Sequence, residues 1–501
     1  MSKSLHIAPM LDVSNREFRA LLRILSKRCV LWTEMVVDET IVHTTNLEEH
    51  LGLTSDPEVH FHPTVCQIGG NSHILGGQAT NIVTTHYGYD EINLNCECPS
   101  NRVSERREFG AALMKKEDTA ANMVRAMIQN AGGVKVSVKT RIGVDDLDDM
   151  DYLVGFITKL VDAGCRRFII HARKVLLNGL SPAKNRVVPP LNYPRVYELC
   201  KHFPECEFIL NGGIPGLKAA KSILYGRDSI IESVISDHNI SVEEKPLEDH
   251  CVPCMICQAS NGSCTAPPEN PPPNLVGCML GRAAMDNPSM FWDVDRYFYG
   301  EKSNPCKNRR EVLIKYCEYL ERRFPRRCCD DDERITWGLP LPDVARTRDY
   351  CDKCRYMYVR GGIQDSKSYH QEYSSFISNS CGKNEDEKND KQERINNSDR
   401  KLARFQKKNP NAKISSYIVD HAFKPILGIF FGMRYSKCFK RECDKICRNV
   451  FIRNCGPGFM IRKALECMPD EILDQDFTKT EALTDYDIIS HTGPIVQNSS
   501  K

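Results

Sequence analysis

Residues 134–140 (VKVSVKT), 151–163 (DYLVGFITKLVDA) and 167–172 (RFIIHA) decide the fold. The outer two are short, apolar-rich runs of strand length. The middle one places Leu153, Phe156, Ile157 and Leu160 at the spacing of one helix face. A strand, a helix and a strand in that order imply parallel pairing, because the crossover must bring the chain back to the same end of the sheet. Working outward, comparable strand runs stand at 5–10 (LHIAPM), 30–36 (VLWTEMV), 64–68 (TVCQI), 91–96 (EINLNC), 207–211 (EFILN) and 275–280 (LVGCML). Helical patterns lie between most of them, as at 14–27 and 117–131. Eight such units point to a (β/α)₈ barrel, with an open doubly wound sheet as the alternative.

The chain has 501 residues, 41% hydrophobic and 27% charged, with a net charge of +2. That composition excludes a wholly disordered chain, a collagen and a bundle of membrane spans. Any nucleic-acid surface must be a local patch on a nearly neutral chain. The opening MSKSLHIAPM lacks the apolar stretch of a signal peptide, and no run of about 18 apolar residues could span a membrane. The expected place is therefore the cytoplasm, with the 24 cysteines mostly reduced. A monomer is expected.

Two stretches break the βα rhythm. Residues 228–274 lie between the seventh and eighth strands and carry the proline run 266–273 (APPENPPP). Residues 328–413 include 383–401, where 12 of 19 side chains are charged, and such a segment is expected to be disordered. Helical patterns at 310–324, 415–430 and 434–453 flank that second break. The expected organisation is a barrel over 1–305 and a small helical domain from 306–327 and 414–468. Residues 328–413 form an insertion within that domain, and 469–501 a fraying tail.

Barrel chemistry gathers at the C-terminal ends of the strands. Here those ends carry Gln67, Asn95 and Cys98, Lys139 and Arg141, His171 and Arg173, Asn211-Gly212-Gly213, and Gly281-Arg282. One polar strand end means little, but all of these together describe a pocket. Gly212, Gly213 and Gly281 permit close backbone approach, and their amides suit a phosphate beside Arg282. The residues thus point to a phosphate-bearing ligand held near a lysine, a histidine and a cysteine.

The same residues carry a family resemblance. IAPMLDVSNREFR, LWTEMV, VCQIGG, NLNCECPSNRV, VSVKTRIG, IIHARK with LNGLSPAKNR, LNGGI and MLGRAAMDNP stand in order across about 5–300, and ILGIFFG with KCFKR follows at 426–441. The chain resembles the tRNA-dihydrouridine synthases, most closely their bacterial A subfamily, the tRNA-dihydrouridine(20/20a) synthases. The resemblance implies a flavin-mononucleotide barrel and a C-terminal helical domain that grips tRNA. The implied reaction is NADPH-driven reduction of the uridine C5–C6 double bond in the D loop near position 20. It further implies that Pro9 and Met10 lie against the flavin ring and that Gln67, Lys139 and His171 hydrogen-bond it. Asn211, Gly212, Gly213, Gly281 and Arg282 would hold the phosphate, and Cys98 would be the general acid. Asn95, Arg186, Lys437 and Lys440 match the tRNA-contacting set, to which Lys184 and Arg441 are added as neighbouring cations. A thiol suits proton delivery to C5 because its ordinary pKa near 8.5 keeps it protonated at neutral pH.

Some residues depart from the family pattern. Glu97 stands where the family usually has glycine, and a neighbouring carboxylate tends to raise a thiol pKa. Phe439 replaces a usual tryptophan, and Lys437 and Lys440 replace usual arginines. Cys96 reads as an ordinary buried strand residue. Cys251, Cys254, Cys257 and Cys264 (C-x₂-C-x₂-C-x₆-C) fit either a zinc site or unrelated thiols of a cysteine-rich chain. Two other functions fit part of the pattern. A small-molecule flavin reductase of the dihydroorotate dehydrogenase type explains the barrel residues but not CPS with the basic C-terminal helix. A tRNA-binding protein with an inactive barrel would have no need of Cys98, Lys139 and His171.

Overall fold

The order of elements follows the predicted alternation. It runs β1 (Ser4–Ile7), α1 (Arg16–Leu25), β2 (Leu31–Val37), α2 (Asp38–His43), α3 (Glu48–Leu51), β3 (Thr64–Gly69), α4 (His73–His86), β4 (Glu91–Cys96), α5 (Glu117–Asn130) and β5 (Lys135–Arg141). It continues with α6 (Met150–Asp162), β6 (Arg167–His171), α7 (Tyr193–His202), β7 (Glu207–Asn211), α8 (Leu217–Tyr225), β8 (Leu275–Leu280) and α9 (Arg282–Asp286). The computed structural model describes residues 3–45, 47–52, 62–99, 108–177, 179–226, 268, 270–324, 416–448 and 456–477.

All eight strands are parallel in the order β1-β8-β7-β6-β5-β4-β3-β2. A short bridge closes the sheet into a barrel: the Ile7 amide donates to the Val30 carbonyl at 2.9 Å, and the Val30 amide to the Leu5 carbonyl at 2.8 Å. The helices form where local signals agree with the apolar stripe. Asp149 caps α6, its carboxylate accepting from the Tyr152 amide at 2.7 Å. That helix buries Leu153, Phe156, Ile157 and Leu160, the predicted face, and Gly164 just past its end takes φ 105°. Asn15 caps α1 and Asn192 caps α7 in the same way.

The barrel interior is layered. Trp32, Val65, Ile169, Ile209, Val276 and Met279 make an apolar plug. Beside it a hydrogen-bonded ladder runs along the inward faces of β3, β4 and β5. Arg167 pairs with Glu91 at 3.0 Å, and Ser137 donates to Glu91. Asn93 donates to Ser137 at 2.8 Å, Gln67 to Asn93 at 2.9 Å and Asn95 to Gln67 at 3.0 Å. Buried polar groups are tolerated because each rung meets a partner, and each bond contributes about 1 kcal/mol net.

After the barrel come α10 (Arg309–Arg323), α11 (Ser416–Phe423), α12 (Ser436–Arg448), α13 (Pro457–Leu465) and α14 (Asp470–Leu473). The chain divides into two units. The first contains Met1–Leu313, Lys424–Ser436 and Asp470–Lys501, and the second Ile314–Phe423 and Lys437–Pro469. Residues 424–436 were expected in the helical domain but belong with the barrel. Arg309 donates to the Ile429 carbonyl at 3.0 Å, and Lys424 to that of Asp12 at 3.0 Å. Residues 470–477 were expected to fray. Instead Phe477 is 1% exposed, stacks on Trp292 at 5.1 Å and lies under Arg309, while Arg310 pairs with Asp470 and Asp474. In the second unit Tyr316 donates to the Ala422 carbonyl at 2.9 Å, and Arg462 pairs with Glu321 at 2.9 Å. The charged stretch 383–401 and the cysteines 251, 254, 257 and 264 lie outside the described residues. Among the described residues no side-chain group could hold a metal ion, and no helix is long and apolar enough to cross a membrane.

Candidate active site

The strand register brings the predicted residues to one end of the barrel. Asn95 pairs with Lys139, Arg141 with His171, and His171 with Asn211. Lys139 is 1% exposed; its ammonium donates to Asn211 Oδ1 at 3.1 Å and forms an ion pair with Glu97. Asn211 in turn donates to the Met279 carbonyl at 2.9 Å, tying β5, β7 and β8 together. The second oxygen of Glu97 is buried and makes only a long contact, 3.4 Å to His171 Nδ1. Burial would push the Glu97 carboxyl up, but Lys139, with His171 and Arg141, holds it well below the usual carboxylate range. Burial and then Arg141 push His171 down to about 3, so its ring is neutral.

The loop after β4 owes its shape to Asn95. The Asn95 side-chain oxygen accepts from the Glu97 and Cys98 amides at 3.1 and 3.0 Å. The Cys98 carbonyl then accepts from the Ala111 amide at 3.0 Å. Cys98 is half-buried at the barrel mouth. Cys96, two residues earlier, is fully buried in β4, where burial pushes its thiol far up. Asn95 itself is 4% exposed and committed on both sides, to Gln67 and to this loop. Its side chain shapes the acid's loop at the barrel mouth.

The ends of β6, β7 and β8 form the phosphate-like cradle. Gly212 and Gly213 take φ values of 119° and 67°, and a side chain at Gly212 would meet the His171 ring at 2.9 Å. Tyr193 donates to the Gly212 carbonyl at 2.5 Å and so holds the turn. A side chain at Gly281 would stand only 3.6 Å from Ala8 and 3.7 Å from Met10, which places the β8 turn beside the predicted Pro9-Met10 segment. Arg282 is exposed there, donating to the Arg186 carbonyl at 3.3 Å. Arg173 is pushed down by burial and by the nearby charges of Arg282 and Arg141. Among the described residues neither Arg173 nor Arg282 has a carboxylate partner. Two cations without counter-ions beside two bare glycine turns fit an anionic group. Arg173 was noted only as a strand-end residue; its approach to Arg282 is a product of the barrel and invisible in the sequence.

A family model described as dihydrouridine synthase matches residues 6–230. The tRNA-dihydrouridine(20/20a) synthase of Pasteurella multocida is 43% identical over 318 residues, covering 64% of this chain and 80% of that protein. The protein of the same description from Synechocystis is 35% identical over 320 residues, covering 64% and 79%. That of Escherichia coli K12 is 42% identical over 226 residues, covering 45% and 63%. The chain belongs to the dihydrouridine synthase family. As a member it is a flavin-dependent oxidoreductase that draws on NAD(P)H.

The remaining predicted residues of this synthase are cations on two separate elements. Lys184 and Arg186 are exposed on a short 3₁₀ turn held by the buried Asn185, whose amide bridges Leu176 and Leu180. Lys437, Lys440 and Arg441 are exposed on α12, whose other face buries Phe439, Cys443 and Ile446. Among the described residues those three cations have no acidic partner, whereas Lys445 pairs with Glu442 and Arg448 with Asp444.

Proposed function

We propose that this enzyme reduces the C5–C6 double bond of uridine in the D loop of tRNA, around position 20/20a, with flavin mononucleotide as cofactor and NADPH as reductant. It acts in the cytoplasm as a monomer. What supports the reading most is the meeting of Cys98 with Lys139, His171 and Asn211 at one barrel mouth, next to an arginine-flanked glycine cradle.

Gly212, Gly213, Gly281, Arg282 and Arg173 would hold the single phosphate of the mononucleotide. Gln67, Lys139 and His171 would face its ring system, with Pro9 and Met10 against it. Bound flavin supplies the hydride that adds to C6 of the uracil. Cys98 donates the proton to C5, and Asn95 holds the loop that aims the thiol. Lys437, Lys440 and Arg441, with Lys184 and Arg186, meet phosphates of the RNA.

Two measurements test this. Denaturing the purified protein should release the mononucleotide, and recovery of only a dinucleotide would overturn that part. Mapping dihydrouridine in tRNA from cells lacking the protein should show its loss near position 20. An unchanged map would return the barrel to small-molecule reduction.

A further inference from the structure

The barrel mouth holds a carboxylate that the proton-transfer scheme does not use. Glu97 lies between two buried cations, Lys139 and Arg141, and pairs with the first. Arg141 is otherwise held by the carbonyls of Lys174 and Asn185, which carry no charge. His171 on β6 is neutral, and Asn211 on β7 contributes only a dipole. Glu97 is therefore the anion that offsets the two positive charges in the pocket wall. Removing it would leave Lys139 and Arg141 without a carboxylate beside them. Its second oxygen has only a long contact, 3.4 Å to His171 Nδ1, so attraction to those cations is what chiefly holds the side chain.

We propose that Glu97 is a positioning residue that acts through Lys139 as its fixed counter-ion and lowers the reduction potential of the bound flavin. The proposal rests on the flavin-mononucleotide reading above. Reduced flavin carries more negative charge than oxidised flavin near neutral pH, so an unbalanced ammonium beside it favours the reduced form. A carboxylate fixed to that ammonium cancels the preference, which makes the cofactor a stronger hydride donor to the poorly activated uracil double bond. The pair is buried, so the effect is little screened by salt. The neutral His171 ring, facing a carboxylate, carries its proton on Nδ1 and leaves Nε2 as an acceptor beside Gly212.

The test is an equilibrium dye titration of the full chain loaded with flavin mononucleotide. Glu97→Gln keeps the size and removes the charge; Glu97→Gly removes the side chain and guards against a folding defect in the first variant. Both should shift the reduction equilibrium at least tenfold toward the reduced form, about 30 mV more positive for a two-electron couple. Glu97→Asp should recover part of the shift, as a shorter carboxylate that still carries the charge. Glu108→Gln breaks an exposed pair with Lys116 elsewhere and should leave the potential unchanged. Potentials of Glu97→Gln and Glu97→Gly equal to or below that of the parent protein would overturn the role of Glu97 while leaving the flavin reading intact. Failure of the parent protein to hold any flavin would overturn both.

Discussion

The barrel buries two charged clusters, one toward each end, and they behave as opposites. At the strand starts, charge is matched: Arg167 meets the carboxylates of Glu91 and Glu207, and Ser137 also donates to Glu91. At the strand ends, Glu97 is the carboxylate beside Lys139 and Arg141, Arg173 and Arg282 have no carboxylate partner among the described residues, and a half-buried cysteine stands at the same mouth. Burial of charge is common to both. What marks the site is the surplus of positive charge, which an anionic ligand would match.

The sharpest break between the two ends comes from chemistry. Cys98→Ala should lower uridine reduction by about 10²–10⁴-fold while leaving flavin reduction by NADPH nearly intact, since the thiol serves only the second half-reaction. Stopped-flow reduction beside tRNA turnover separates the halves, and a loss in Cys96→Ala instead would move the acid to the wrong end of the loop. The other cluster should respond in stability alone. Arg167→Met leaves Glu91 buried without its cation and should cost about 3–5 kcal/mol, read by denaturant unfolding, with turnover per folded molecule unchanged.

A surface outside the barrel extends the contrast. Lys437→Glu with Lys440→Glu should weaken tRNA binding and reduce its salt slope by about two, with flavin content and NADPH oxidation normal. Unchanged affinity and slope would put the RNA elsewhere. The smallest effect is the pH response of the mouth itself. The folded protein holds His171 neutral down to about 3, whereas the unfolded chain binds that proton below its ordinary value of 6.5. Stability should therefore fall as pH drops below about 6.5, by about 2 kcal/mol from this ring by pH 5. His6, also pushed down by burial, adds a slope of the same sign. His171→Gln should flatten the first part of that curve in urea midpoints taken at pH 7 and 5.

Much of the fold was legible because period and length are properties of the chain itself. Each of the eight expected strands is present within a few residues of its expected bounds, and the face of α6 is the predicted one. The clustering of Lys139, His171 and Asn211 followed from the barrel and was legible too. The ladder of Glu91, Ser137 and Asn93 was not, because polar residues at alternate strand positions look the same whether they face solvent or one another. Glu97 stood out only as a departure; that it reaches Lys139 and not the solvent depends on the turn set by Asn95. Phe477 was missed because its partners, Trp292 and Arg309, lie far back in the chain, and a single aromatic in an acidic stretch carries no periodicity.

The Phe477 contact bears on how the chain is made. The barrel unit is discontinuous: it needs residues 424–436 and 470–477, and the Lys424–Asp12 hydrogen bond joins positions 412 residues apart. Contacts of such separation form late and slowly. On the ribosome all eight strands emerge long before the segments that finish their unit. Through that interval Trp292 and the buried Arg309 lack their late partners, and a chaperone has its clearest opportunity to bind.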